Sequence, residues 1–322
     1  MQLNLAKTHY PLVSICIPLY NAEEYISETI LNLLNQSYEN LELIIVDDHS
    51  SDRSVDIVKS YYDKRIHLFT NPKKGGNSAR NFAFTQSVGQ LIKFVDADDL
   101  CEPELIEKQV LKYLERNNTK NLIFSPVCKY YGNRKIELLP RTIDKDYKPG
   151  IELVIGIWVG QGFNCPHCYL MSRELIELSG GWNEAVLKNQ DGEFFARVAA
   201  TADEAISVPE VMALWRQTYK GVSANLKQES VVSHFDTLIQ ITEMVLDYDN
   251  KYENRQICEN YIGLFVFTFY YYIYEHLTKL EILTKKYNFE INYPRRKKFL
   301  LFRMLLGKHK ALIIMSKLYN HI

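Results

Sequence analysis

Apolar positions in the N-terminal third of the chain fall into two alternating patterns. Mostly apolar runs at residues 12–17, 41–46, 66–69 and 91–95 predict buried strands, the first ended by Pro18 and the second by Asp47-Asp48. Between them, spacings of three and four predict helices. Ile26, Ile30, Leu33 and Leu34 share one face, as do Val55, Val58 and Tyr62 behind a cap at Asp52. A turn at Gly75-Gly76 precedes a helix over 78–87, and Pro103 opens one that turns Ile106, Val110, Tyr113 and Leu114 inward. Repeated strand–helix units imply an α/β fold with a mostly parallel sheet covered on both faces. The strand ends at Pro18, Asp47 and Asp96 should then gather on one rim, where open α/β sheets bind their ligands.

From 122 to 216 the pattern loosens into shorter strands, turns and a helix over about 191–200, and beyond Leu226 it is helical throughout. This suggests an α/β catalytic domain over 1–225 and a helical region over 226–322. Residues 261–274 are apolar and aromatic but too few to cross a bilayer, so they predict a buried helix. The tail sets basic residues at 294–298 beside apolar stretches at 299–302 and 312–315. Such a pattern suits a helix held peripherally on an anionic membrane, or a helix packed on its own domain with its lysines in water.

Composition narrows the classes. A net charge of −1 gives no reason to expect nucleic-acid binding. The first residues lack the charged head and apolar stretch of a secretory signal, and the scattered cysteines suit a reducing compartment, so a cytoplasmic location is expected. Cys165-Pro166-His167-Cys168 follows a glycine-containing stretch in mid-chain and does not open a helix early in a small domain, which argues against a thioredoxin-type site. Tyrosine is abundant, at 22 residues; such rings serve cores as well as sugar-binding and membrane-interface surfaces.

The most specific chemistry is Asp96-Ala97-Asp98-Asp99 directly after a predicted buried strand. Carboxylates this close repel one another unless a cation or hydrogen-bond donors offset them. Hard divalent ions prefer oxygen, and Mg²⁺ commonly joins one or two carboxylates to substrate phosphates, so a metal–diphosphate pair fits the cluster.

Five segments in order carry a family resemblance: residues 13–21, 45–52, 76–81 (Gly-Asn-Ser-Ala-Arg-Asn), 94–99, and Gly180-Gly181-Trp182-Asn183 followed by Gln190-Asp191. The chain resembles the family 2 glycosyltransferases of the A-type, Rossmann-like nucleotide-sugar fold from about Val13 to Arg216. The resemblance implies that Pro18, Tyr20 and Asn21 line a nucleoside pocket. It assigns Asp48, with Asp47 beside it, to the base, Arg80 to base and phosphates, and Asp96 to the ribose. Asp98 would carry Mn²⁺ or Mg²⁺, and Asp99 would support it or cap the next helix. Asp191 matches the catalytic base, although Gln190 stands where the family commonly has Glu. Trp182 is either an acceptor platform or a core ring, and Arg216 a basic group near the diphosphate. His167 and Asn164 are further acceptor-side or structural candidates.

The implied activity is inverting transfer from a UDP-sugar, or a dTDP-sugar, to a hydroxyl of a saccharide or lipid-linked acceptor, as in surface polysaccharide or glycoconjugate synthesis. Two alternatives stay open. A sugar-phosphate nucleotidyltransferase would ordinarily carry a glycine-rich, arginine-containing loop near the first strand, and Tyr20-Asn21-Ala22 lacks it. A non-catalytic nucleotide-sugar-binding scaffold would not need Asp96, Asp98 and Asp191 intact.

Overall fold

A computed structural model describes residues 10–132, 136–138, 145–160, 165–217, 227–291, 293 and 297–320. The first half alternates β1 (Val13–Leu19), α1 (Ile26–Leu34), β2 (Leu41–Asp47), α2 (Ser54–Lys59), β3 (Ile66–Thr70), α3 (Gly76–Gln86) and β4 (Leu91–Phe94). Then come β5 (Leu100–Cys101), α4 (Leu105–Arg116), β6 (Asn121–Phe124), β7 (Val127–Tyr130), β8 (Ile136–Leu138) and α5 (Glu152–Gly160). A short 3-10 turn at Pro166–Cys168 leads into β9 (Tyr169–Ser172), α6 (Arg173–Ser179), α7 (Gln190–Thr201), β10 (Glu204–Ser207) and β11 (Ala213–Arg216). Four helices follow: α8 (Gln228–Tyr248), α9 (Tyr252–Ile273), α10 (Thr278–Tyr287) and α11 (Lys297–Asn320).

The central sheet has seven strands in the order β10-β6-β9-β4-β1-β2-β3, and β9 alone runs against its neighbours. β2 is buried along its whole length because helices cover both faces of the sheet. A small second sheet, β5-β11-β7-β8, lies at the exit of the acidic segment.

Pro18 does not end the first strand. β1 continues to Leu19 with Pro18 opposite Val46. Its pairing with β4 stops at Cys16, so Pro18 lies where that side of β1 has no ladder to break. The predicted helix through Tyr62 also ends early: α2 stops at Lys59 and Tyr62 is fully exposed. There Asp63 accepts hydrogen bonds from the Arg65 backbone and guanidinium, turning the chain towards β3.

Lys93, in the middle of buried β4, has no exposed surface. Its Nζ donates to Gln109 Oε1 at 2.8 Å and to the Tyr169 carbonyl at 3.1 Å. Burial pushes its pKa down. Gln109 in turn donates to Ser125 and to the Cys168 carbonyl, so this polar cluster ties β4, α4 and the start of β9 together.

The C-terminal helices join the α/β part through contacts of α8 with α7 and of α9 with α5. α9 is one-faced and not buried all round: Ile262, Val266, Phe267 and Ile273 are buried, whereas Leu264 and Tyr271 are exposed. In α11, Leu312 and Met315 are buried, and Ser316 accepts a hydrogen bond from the Tyr271 backbone of α9. That part of the tail packs on its own chain. The side chains of 294–302, covering the basic run and the first apolar stretch of the tail, lie with Asn164 outside the described residues. No described helix is long and apolar enough to cross a membrane.

Candidate active site

Loops after β1, β2 and β4 meet at the carboxyl rim because the three strands are adjacent and parallel. Asn21, with φ of 46°, reverses the chain after β1, and its Oδ1 accepts the Ser51 backbone N–H at 2.8 Å. It therefore braces the β2 loop. Tyr20 beside it is half exposed, with the Lys74 Nζ 5.7 Å from its ring centre. An exposed ring at the rim can stack on a base.

Asp47 accepts the Ser50 N–H and shapes its own loop. Asp48 is buried; its Oδ1 accepts from the Asn71 side chain at 2.7 Å and from the Gly75 N–H at 2.8 Å, with Oδ2 3.1 Å from the same N–H. Much of its capacity goes into holding the turn that starts α3, leaving room on Oδ2 for one further donor. Gly75, at φ of 138°, adopts a conformation open to glycine, which explains its place in that turn.

On α3, Arg80 is buried and donates to Asp96 Oδ1 at 2.7 Å. Burial alone would lower its pKa, but the charges of Asp96 and Asp191 outweigh that and raise it. The guanidinium also lies 4.6 Å from the centre of the Trp182 ring. Trp182 is only 3% exposed, stacked on Phe194 at 4.1 Å and edge-on to Phe94 at 5.2 Å. Arg80 and Phe194 between them cover its faces. It is thus a core ring and not an open sugar platform, although its buried Nε1 has no hydrogen-bond partner among the described residues.

Asp96 and Asp98 are partly buried and Asp99 fully so. Burial, then Asp99 and Asp96, push Asp98 up to about 7, the behaviour of a carboxylate short of compensating positive charge. Asp99 Oδ1 accepts the Arg216 N–H at 2.9 Å, while its Oδ2 lies 3.1 Å from Nδ1 of buried His167. His167 Nε2 lies 3.5 Å from the Cys165 sulfur. Burial raises the Cys165 thiol well above its ordinary value, so it is a protonated core group.

Arg216 does not reach outward. Its Nε donates to the Asp98 carbonyl at 2.6 Å and a terminal nitrogen to Glu28 at 2.8 Å. It braces the acidic loop from β11, a role that spacing could not reveal because Glu28 and Asp98 are distant in sequence.

Asp191 stands in the first turn of α7, where the helix dipole favours negative charge. Burial pushes its pKa up, Arg80 pulls it down and Asp96 and Asp99 push it up again, leaving it at about 6. Those couplings bring Asp191 into the same charged cluster as Arg80 and the acidic loop. Gln190 donates to the Val186 carbonyl, and Glu193 pairs with Arg197, which also binds the Gly181 carbonyl at 2.8 Å. Asn77 and Asn81, one turn apart on α3, reach the Asn183 and Trp182 carbonyls. Their four-residue spacing was the available signal for a shared contact.

Among the described residues no three His, Cys, Asp or Glu side chains form a metal cage. One under-compensated carboxylate at the rim nevertheless fits the hard-cation pattern in which substrate phosphates supply other ligands.

The fold is the A-type fold of glycosyltransferases. The glycosyl transferase family 2 model matches residues 14–179, and the chain belongs to that family; it is a glycosyltransferase. Asp191 lies beyond the matched segment. An uncharacterized glycosyltransferase of Haemophilus influenzae is 39% identical over 188 residues, 58% of this chain and 70% of that one. The Escherichia coli UDP-Glc:alpha-D-GlcNAc-diphosphoundecaprenol beta-1,3-glucosyltransferase WfgD is 43% identical over 126 residues, 39% of this chain and 46% of its own. In three dimensions the chain is similar to Staphylococcus aureus TarS 1–349, with TM-score 0.70 and 16% identity over 96% of this chain and 91% of that one. The same protein in complex with UDP-GlcNAc gives TM-score 0.67 at 15% identity, covering 96% and 92%.

Proposed function

We propose that the protein transfers a sugar from a UDP-sugar to an acceptor hydroxyl with inversion at the anomeric carbon, Asp191 being the base. The observation that carries this reading is Arg80, which donates to Asp96 at 2.7 Å and packs 4.6 Å from the Trp182 ring in the segment before α7, whose first turn holds Asp191. A base titrating near 6 is ionised at neutral pH and still basic enough to take a hydroxyl proton. Tyr20 and Asp48 receive the nucleoside, and Arg80 with Asp96 sets the depth of ribose and diphosphate. Asp98 is the residue that would hold Mn²⁺ or Mg²⁺, which when bound offsets charge on the departing diphosphate.

The acceptor oxygen gives its proton to the Asp191 carboxylate and forms the new bond to the anomeric carbon. The bond from that carbon to the phosphate oxygen breaks on the opposite face, and its electron pair leaves with UDP. Positioning and charge stabilisation suffice, without a covalent intermediate. UDP as the released product distinguishes this reaction from nucleotidyl transfer, which releases pyrophosphate. The test is product analysis over a panel of UDP-hexoses: absence of UDP release from every donor, despite UDP binding, would favour a scaffold.

A lipid-linked acceptor at the cytoplasmic face of a membrane is part of the proposal, since the relative WfgD is named for a diphosphoundecaprenol-linked acceptor. A surface of α11 supports it. Gly307, at φ of 80°, breaks the helix, and beside it Met304, Leu305 and Leu306 are 75%, 64% and 45% exposed. Arg303, Lys308 and Lys310 flank them, and residues 297–320 contain no acid. Exposed apolar groups among cations fit an anionic lipid surface.

A further inference from the structure

The turn that leads into α7 is held from two directions. On one side Asn77 and Asn81 of α3 bind its backbone at Asn183 and Trp182. On the other, α8 supplies two hydroxyls. Ser233 Oγ accepts the Leu187 N–H at 2.9 Å, and Thr237 Oγ1 accepts from Asn189 Nδ2 at 2.8 Å.

Thr237 is 1% exposed, and its own hydroxyl proton goes to the His234 carbonyl at 2.7 Å. The hydroxyl therefore acts as donor and acceptor at once, which valine cannot do and serine can. Asn189 precedes α7 in the left-handed region, at φ of 62°. Its Oδ1 would lie 2.3 Å from a Cβ at Gly192. Only glycine admits Asn189 in this pose, even though glycine inside a helix costs about 1 kcal/mol relative to alanine. Asp191 thus lies between Gly192, which leaves room for the Asn189 side chain, and Asn189 itself two residues earlier, whose amide Thr237 holds.

We propose that Thr237, assisted by Ser233, is a positioning residue for Asp191, so that the C-terminal helices set the geometry of the proton-accepting carboxylate. The inference rests on Asp191 being the base. A carboxylate must sit within hydrogen-bond reach of the acceptor oxygen, and small displacements there cost rate while leaving distant nucleotide contacts intact. The nucleotide side of the site is built from β1, β2, α3 and β4, none of which contains Thr237. The expected signature is therefore a loss in kcat with UDP affinity unchanged.

The experiment measures UDP release from UDP-glucose and UDP-N-acetylglucosamine with Mn²⁺, UDP affinity by calorimetry, and Tm. Thr237→Val should lower kcat about tenfold, the rate equivalent of one neutral hydrogen bond, with donor KM and UDP affinity held. Thr237→Ser should restore the rate. Asn189→Gly should resemble Thr237→Val, and the double variant should be no worse than either single change, as for residues acting through one contact. Wild-type kcat in Thr237→Val overturns the inference. So does a parallel loss of UDP affinity, kcat and Tm that serine does not repair, because α8 would then only support the fold. Full transfer by Asp191→Asn sinks the base reading whatever Thr237 does. An inactive Asp191→Asn beside a fully active Thr237→Val sinks the positioning role alone. If wild type releases UDP from neither of these donors nor from any other UDP-hexose, both inference and proposed function are contradicted.

Discussion

Arg80 donates to Asp96 at 2.7 Å while its guanidinium carbon lies 4.6 Å from the centre of the Trp182 ring. One side chain on α3 thus links the end of β4 to the segment before α7. The planar fork serves the carboxylate and the ring together, and an ammonium cannot reproduce that geometry. The same cation lies in the field of Asp191, so it couples the donor side of the rim to the proposed base.

Replacing Arg80 should therefore weaken both stability and nucleotide binding. Arg80→Lys is expected to lower UDP affinity about tenfold through loss of the planar guanidinium, which an ammonium cannot replace against carboxylate and ring together. Arg80→Ala should cost about 1–2 kcal/mol of stability, kept low because Asp96 stays partly solvated. A urea midpoint unchanged from wild type in Arg80→Ala would show that the ion pair contributes nothing.

Asp98 should govern metal dependence. Chelation of wild type is expected to stop donor turnover, with Mn²⁺ or Mg²⁺ restoring it, and Asp98→Ala should not respond to either ion. Near-normal turnover by Asp98→Ala would remove the metal assignment.

Asp191 leads to opposite pH trends for rate and stability. Its pKa of about 6 means that kcat/KM should rise with pH through that value as the base ionises. An unfolded aspartate titrates near 3.9, so the folded protein binds this proton more tightly than the unfolded chain. Its contribution to stability is fully present below about 3.9 and is lost as pH rises through about 6. Asp191→Asn should accordingly abolish transfer, keep UDP binding, and raise Tm at about pH 8 but not at about pH 4. Equal Tm differences at both pH values would contradict the raised pKa.

Membrane attachment should depend on the broken end of α11. Changing Met304, Leu305 and Leu306 to Ser is expected to release the protein from anionic vesicles in flotation, and salt should weaken wild-type binding. Soluble-acceptor transfer should persist. Wild-type-like flotation of the triple variant would exclude this surface.

Residue pattern alone carried the alternating strands and helices, the rim where β1, β2 and β4 end, and the acidic cluster at 96–99, because local periodicity and clustered charge need no distant partner to be recognised. Several roles required the folded chain. Trp182 reads equally well as platform or core until Phe194 and Arg80 are seen covering it. Arg216 looks like a phosphate ligand until Asp98 and Glu28 are found at its nitrogens. The apolar stretch at 312–315 resembles a membrane face, yet Leu312 and Met315 are buried.

The sequence by itself determined the element types and the family, since these depend on contacts within a few residues and on motifs in order. Only tertiary structure decided which carboxylates share a field, which arginine turns inward, and that a threonine on α8 touches the turn before Asp191. Those outcomes depend on desolvation and hydrogen bonding between segments far apart in the chain, and side-chain spacing along the backbone contains no record of that distance.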